Sequence, residues 1–167
     1  MVTVNKLGIL LKKTEHGFES EGVLNPGVIR AGDHIHLFYR AVARGNYSTI
    51  GYCKLSSPTQ VECRNDTPLL FPEASYESQG LEDPRVTEIE GVYYLTYTAF
   101  DGTNALGALA SSVDLVNWQK HGVIVPQITY EEFKHFAESK GTIHEKYIRF
   151  NEYQKSHIKE GQKSFLW

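Results

Sequence analysis

The sequence predicts an all-β fold of the β-propeller type, here about two four-stranded blades followed by a C-terminal helical insertion. Three observations predict it: a repeat with an offset of 58 residues, an alternation of apolar and polar residues inside each copy, and a helix-start signal where the repeat stops. The chain of 167 residues is 41% hydrophobic, which places it among globular rather than disordered proteins.

The repeat units cover about residues 23–72 and 81–126. Asn25-Pro26-Gly27-Val28 aligns with Asp83-Pro84-Arg85-Val86, and Ile35-His36-Leu37-Phe38-Tyr39-Arg40-Ala41 aligns with Tyr93-Tyr94-Leu95-Thr96-Tyr97-Thr98-Ala99. The first strand of each unit is expected to begin after the Asn/Asp-Pro pair. Proline at a strand start removes no ladder donor and fixes an extended approach for the residue before it. The second strand alternates, with Ile35, Leu37, Tyr39 and Ala41 on one face and His36, Phe38 and Arg40 on the other. The third runs into Ser56-Ser57 or Ser111-Ser112, and the fourth is expected to contain Val61 or Val116. Two unrelated meanders of a sandwich are the competing reading, disfavoured because the offset holds at many positions. Cys53 and Cys63 flank the turn Ser56-Ser57-Pro58-Thr59, either as a disulfide or, in a reducing compartment, as two free buried thiols. Trp118, which repeats the place of Cys63, is expected in the core.

The pattern breaks at Thr129-Tyr130-Glu131-Glu132, a capping box with Thr129 as the cap and Glu132 reaching back. Tyr130, Phe133, Phe136 and Ala137 share one helical face, and Gly141 ends the helix. A second helix is expected over about residues 143–155. The chain is therefore expected to divide into blades at 1–126, a helical insertion at 127–160 and the start of a further blade at 161–167, as a truncated piece of a longer protein would. A propeller closes with about four to eight blades, so a piece with two is expected to be poorly soluble, to self-associate or to be only marginally stable.

Net charge is −3 and no basic patch stands out, which argues against nucleic acid as a partner. No apolar run approaches the ~20 residues of a membrane span. Met1–Lys13 lacks the ordered features of a secretory leader, so a cytoplasmic location is expected. The seven histidines and two cysteines show no metal-ligand spacing, and no metal or cofactor is expected.

Matching positions on neighbouring blades converge at one rim of the channel, so Asn25 and Asp83 are expected to be neighbours in space. Asp83 sits in Gly80-Leu81-Glu82-Asp83-Pro84-Arg85 as a rim carboxyl group, the residue type that general acid catalysis uses. Glu82 and Arg85 beside it act on its ionisation in opposite senses. The other reading of an Asp-Pro pair is a turn or strand cap. Arg40 offers a planar fork for hydroxyls or an anion, or else pairs with a nearby carboxylate. Asp101, before Gly102, reads more readily as a turn residue than as a ligand.

Asn25-Pro26-Gly27, Phe38-Tyr39-Arg40-Ala41, the Gly80–Arg85 stretch and the Tyr93–Ala99 strand together resemble glycoside hydrolase family 130, over about residues 20–126. That family comprises five-bladed propeller enzymes acting on β-mannosides. The resemblance implies a glycoside phosphorylase or hydrolase, transferase-type in the first case. Asp83 would be the general acid, able to act through a substrate hydroxyl, and Asn25 and Arg40 sugar ligands. Glu82, Arg85 and Asp101 join them as substrate-binding candidates. It implies inverting phosphorolysis of a β-mannosyl oligosaccharide to mannose 1-phosphate, with inorganic phosphate as co-substrate and no other cofactor. A β-mannosidase of the same family and a non-catalytic carbohydrate-binding propeller stay open as alternatives. Propeller glycosidases acting on arabinosides or fructosides lack the Glu-Asp-Pro-Arg and Tyr-Tyr run. The family's phosphate-holding residues lie mostly in later blades, and the helical insertion is a candidate for the pocket rim or for the contact of a homo-oligomer.

Overall fold

The alternation of apolar and polar residues produces two antiparallel meanders of four strands each. The computed structural model describes residues 3–125, 127–141, 143–156 and 165–166. The first meander contains β1 (Gly22–Ala31), β2 (His34–Ala43), β3 (Tyr47–Ser57) and β4 (Gln60–Arg64). The second contains β5 (Gly80–Ile89), β6 (Val92–Phe100), β7 (Ala105–Ser112) and β8 (Gln119–Val123). A single parallel rung, Ser48 with Gly80, links β3 to β5 and joins the meanders into one sheet that does not close on itself. Beyond them come β9 (Ile128–Thr129), α1 (Tyr130–Lys140), α2 (Glu145–Lys155) and β10 (Phe165–Leu166), with β10 antiparallel to β9.

Two cores hold the meanders. Phe38, Ile50 and Tyr52 of the first pack with Leu81, Leu95, Tyr97 and Ala99 of the second. On the other face of the first meander, Leu37, Tyr39, Ala41, Cys53 and Leu55 are covered by Leu10, Leu11 and Phe18. Burying a side chain the size of Phe38 or Leu95 stabilises by about 1.5–3 kcal/mol. Leu37, Tyr39 and Ala41 are the repeat partners of Leu95, Tyr97 and Ala99. The second meander thus docks through the same face that the first turns to the N-terminal segment. Two glycines allow the backbones to meet. A Cβ on Gly27 would lie 2.7 Å from the Pro84 carbonyl oxygen, and one on Gly80 would lie 2.8 Å from the Ser48 nitrogen and oxygen.

Four expectations need correction. First, β1 and β5 begin three residues before the Asn/Asp-Pro pairs, which lie inside the strands. Asn25 has φ 47° and Asp83 φ 49°, left-handed rather than extended, and the ladders shift between Leu24 and Gly27 and between Glu82 and Arg85. A bulge accommodates each proline, because it leaves the residue without a ladder donor unpaired. Second, Val116 is 58% exposed and precedes β8. The Asp114 carboxylate accepts from the Val116 and Asn117 amides and shapes a loop there, with Leu115 at φ 65°. Third, Trp118 is half-buried at the core margin, edge-on to Phe38 at 5.4 Å, with Nε1 donating to the Leu115 carbonyl. Fourth, both cysteines are free but only Cys53 is buried; Cys63 is exposed. Cys53 pairs with Arg64 across β3–β4, so a register slip sets the thiols on different rungs.

The Thr129 capping box is present: Thr129 Oγ1 accepts from the Glu132 amide, and Glu132 Oε2 accepts from the Thr129 amide at 2.8 Å. Helix α1 buries no residue completely; Phe133 packs on Tyr147 at 4.9 Å, while Phe136 is exposed. Most of the segment expected to start a further blade, residues 161–164 and Trp167, lies outside the described residues. Among the described residues no helix is long and apolar enough to cross a membrane.

Candidate active site

The two bulges stand side by side where β1 meets β5. Asn25 Nδ2 donates to Asp83 Oδ1 at 2.5 Å, across 58 residues of sequence. Arg85 Nη1 donates to the Pro84 carbonyl at 2.7 Å and to the Asn25 carbonyl at 3.4 Å, so this arginine braces the backbone of both bulges. Asn and Asp are among the few non-glycine residues that tolerate a left-handed backbone, which suits them to these two corners.

A second group adjoins the first through Glu82. Arg40 Nη2 pairs with Glu82 Oε1 at 2.5 Å and donates to Asn46 Oδ1 at 3.3 Å, while Arg40 Nε donates to Ser48 Oγ at 2.8 Å. Burial pushes the Glu82 carboxyl above its usual range; Arg40 opposes this and the charge of Asp83 adds to it. The structure therefore shows Arg40 as one half of a shielded ion pair, with its Nη1 lacking a partner among the described residues. Asp101 stands apart from both groups, past the Gly80–Phe100 rung. Its Oδ1 accepts from the Thr103 amide at 2.8 Å and the Asn104 amide at 2.6 Å, closing a turn. Among the described residues no cluster of His, Cys, Asp or Glu is placed to hold a metal ion.

Two fully buried glutamates escaped the sequence reading. Glu19 accepts from Tyr39 Oη and Arg64 Nη2, each at 2.8 Å, and from Thr14 Oγ1 at 2.7 Å. Glu77 accepts from Tyr97 Oη at 2.7 Å, from Lys120 Nζ at 2.8 Å and from the Glu73 amide at 2.8 Å. Each clasp ties the segment entering the first strand of a meander to its second and fourth strands. Glu19 and Glu77, like Tyr39 and Tyr97, are 58 residues apart. Extending the repeat a few residues upstream would have found them.

A family model described as β-1,4-mannooligosaccharide phosphorylase, of glycoside hydrolase family 130, matches residues 11–165. The chain belongs to glycoside hydrolase family 130. This family 130 chain is 35% identical, over 159 residues, to a β-1,2-mannobiose phosphorylase of Thermoanaerobacter sp. (strain X514), covering 86% of the chain and 51% of that relative. It thus spans about half the length of the curated relative. A solved glycosyl hydrolase of Bacteroides ovatus superposes with a TM-score of 0.65 at 25% identity, covering 68% of the chain and 38% of that structure. A further solved structure has a TM-score of 0.54 at 29% identity, covering 69% of the chain and 37% of its own. It was described with the finding that the family of mannoside phosphorylases contains glycoside hydrolases that target β-1,2 mannosidic linkages in Candida mannan. These matches carry hydrolase and phosphorylase names, which corrects the expectation of a glycosyltransferase-type enzyme.

Proposed function

We propose that this family 130 chain contributes catalytic and sugar-binding residues to a β-mannoside phosphorylase, which uses inorganic phosphate to cleave a β-mannosyl oligosaccharide to mannose 1-phosphate with inversion. The observation that carries this reading is the hydrogen bond of Asn25 to Asp83 at two matched bulges, beside the Arg40–Glu82 pair.

In this reading Asp83 is the general acid. Asn25 holds its Oδ1, and its Oδ2 has no partner among the described residues, so Oδ2 is the atom that delivers a proton to the leaving oxygen, directly or through a substrate hydroxyl. That proton moves as the bond from the anomeric carbon to the glycosidic oxygen breaks and phosphate attacks from the opposite face. Asn25 and Arg40 hold hydroxyls of the mannosyl unit. Glu82 balances the charge of Arg40, Arg85 fixes the bulges, and Asp101 shapes the neighbouring turn. The cations that hold phosphate belong to blades beyond these two, in a ring of five. Apart from phosphate no cofactor takes part, a cytoplasmic setting suits a sugar phosphate product, and α1 and α2 form a subunit contact or pocket rim.

The test is to incubate the protein with β-1,2- and β-1,4-mannobiose, with and without phosphate. The expected result is phosphate-dependent release of mannose 1-phosphate. Asp83→Asn is expected to cut the rate by about 10²–10⁴-fold with the urea midpoint unchanged. Near-normal turnover in that variant defeats the assignment. Mannose release that ignores phosphate favours the hydrolase, a reading supported by the likeness to the structure described with β-1,2-targeting hydrolases. Sugar binding without turnover, unchanged in Asp83→Asn, favours a non-catalytic module.

A further inference from the structure

We propose that Ser48 is a positioning residue that orients Arg40 and makes this sugar subsite depend on the contact between the two meanders. The proposal rests on the reading of Arg40 as a mannosyl ligand. Ser48 is completely buried, and its Oγ accepts from Arg40 Nε at 2.8 Å. Among the described residues its backbone forms the only parallel rung between the meanders, against Gly80. Two residues after Gly80, Glu82 takes Arg40 Nη2. The guanidinium is thus gripped at one nitrogen from β3 and at another from β5. Because the group is planar, fixing two nitrogens sets the direction of the third, Nη1, which has no partner among the described residues. A shift of one meander against the other would turn that nitrogen. The site is tight: a Cβ on Gly80 would lie 3.0 Å from the Ser48 Cβ.

The experiment compares Ser48→Ala in the intact protein with the same change in an Arg40→Lys background, using β-mannobiose and inorganic phosphate. Lysine has no Nε to hold. Ser48→Ala alone is expected to raise KM roughly tenfold with kcat changed by less than about threefold, and to add nothing in the Arg40→Lys background. In protein labelled with ¹⁵N-arginine, the protected Arg40 Nε–H signal is expected to be lost in Ser48→Ala. Ser48→Cys, close in volume but a weak acceptor, should fall between. An equal rise in KM in both backgrounds would mean that Ser48 acts through packing, and an unchanged Nε–H signal would mean that it holds nothing; either overturns the proposal. Should wild-type protein not turn over β-mannobiose at all, the phosphorylase reading fails, while the Nε–H signal still decides whether Ser48 grips Arg40.

Discussion

The two meanders share one anatomy, and two of their differences fall at matched polar positions. Each has a carboxylate sealed inside it, gripped by a tyrosine of the second strand. In the first, Arg64 completes the clasp, bonding Glu19, Tyr39 Oη at 3.1 Å and the Lys12 carbonyl at 3.0 Å. In the second, Lys120 does so, pairing with Glu77 and Glu73 and donating to the Phe71 carbonyl at 2.6 Å. The other difference lies at the bulge, where one copy carries an amide and the other a carboxyl group. The repeat thus keeps the buried glutamate and its tyrosine while the corner at the bulge changes chemical type.

The largest expected effect tests whether the clasps are equivalent. Removing the cation leaves a buried carboxylate uncompensated, which costs about 3–5 kcal/mol. Arg64→Met should lower the urea unfolding free energy more than Lys120→Met. Glu77 keeps backbone donors, the Glu73 and Ala74 amides, that no side-chain change removes. Equal losses would break the distinction.

A smaller effect concerns acid. Burial by itself would push the Glu77 carboxyl up, but the bonds from Lys120, the Glu73 amide and Tyr97 outweigh it and hold the group below its ordinary value of 4.5. Its folded-state value is depressed, so its contribution to stability is complete above the ordinary value and fades as pH falls through the lower, folded one. Unfolding free energy measured against pH should decline on that acid side, and Glu77→Gln should flatten the decline. An unaltered slope in the variant would remove Glu77 from the account.

The smallest effect separates the tyrosines. Tyr97→Phe removes one hydrogen bond, about 1 kcal/mol, whereas Tyr39→Phe removes two, to Glu19 and from Arg64. Tyr39→Phe should therefore cost more in the same urea titration. The reverse order would show that the phenol of Tyr97 carries more than its single bond to Glu77.

The offset of 58 residues made much of this legible, because a repeated sequence implies repeated corners, and the meeting of Asn25 with Asp83 follows once the two copies lie side by side. The bulges were not legible. A residue before proline ordinarily takes an extended backbone, and nothing in the sequence marks Asn25 and Asp83 as exceptions with φ 47° and 49°. Val116 was misplaced because its match to Val61 rests on hydrophobicity, whereas the turn around Asp114 pushes the fourth strand later. Glu19 and Glu77 were passed over because a glutamate in a loop reads as solvated until its tyrosine and cation are seen together. Ser48 has no signature at all, since its role exists only where β3 touches β5.

The left-handed turn at each bulge has a consequence for how such a protein can change. A backbone held at φ near +50° favours glycine, asparagine and aspartate over other side chains, although Glu90 and Leu115 adopt it elsewhere in this chain. Asparagine and aspartate differ by a single heavy atom and are nearly isosteric, yet one donates hydrogen bonds and the other can release a proton. The corner thus favours two side chains of the same shape, one a hydrogen-bond donor and the other a carboxyl group, and an exchange between them asks for no change in the main chain.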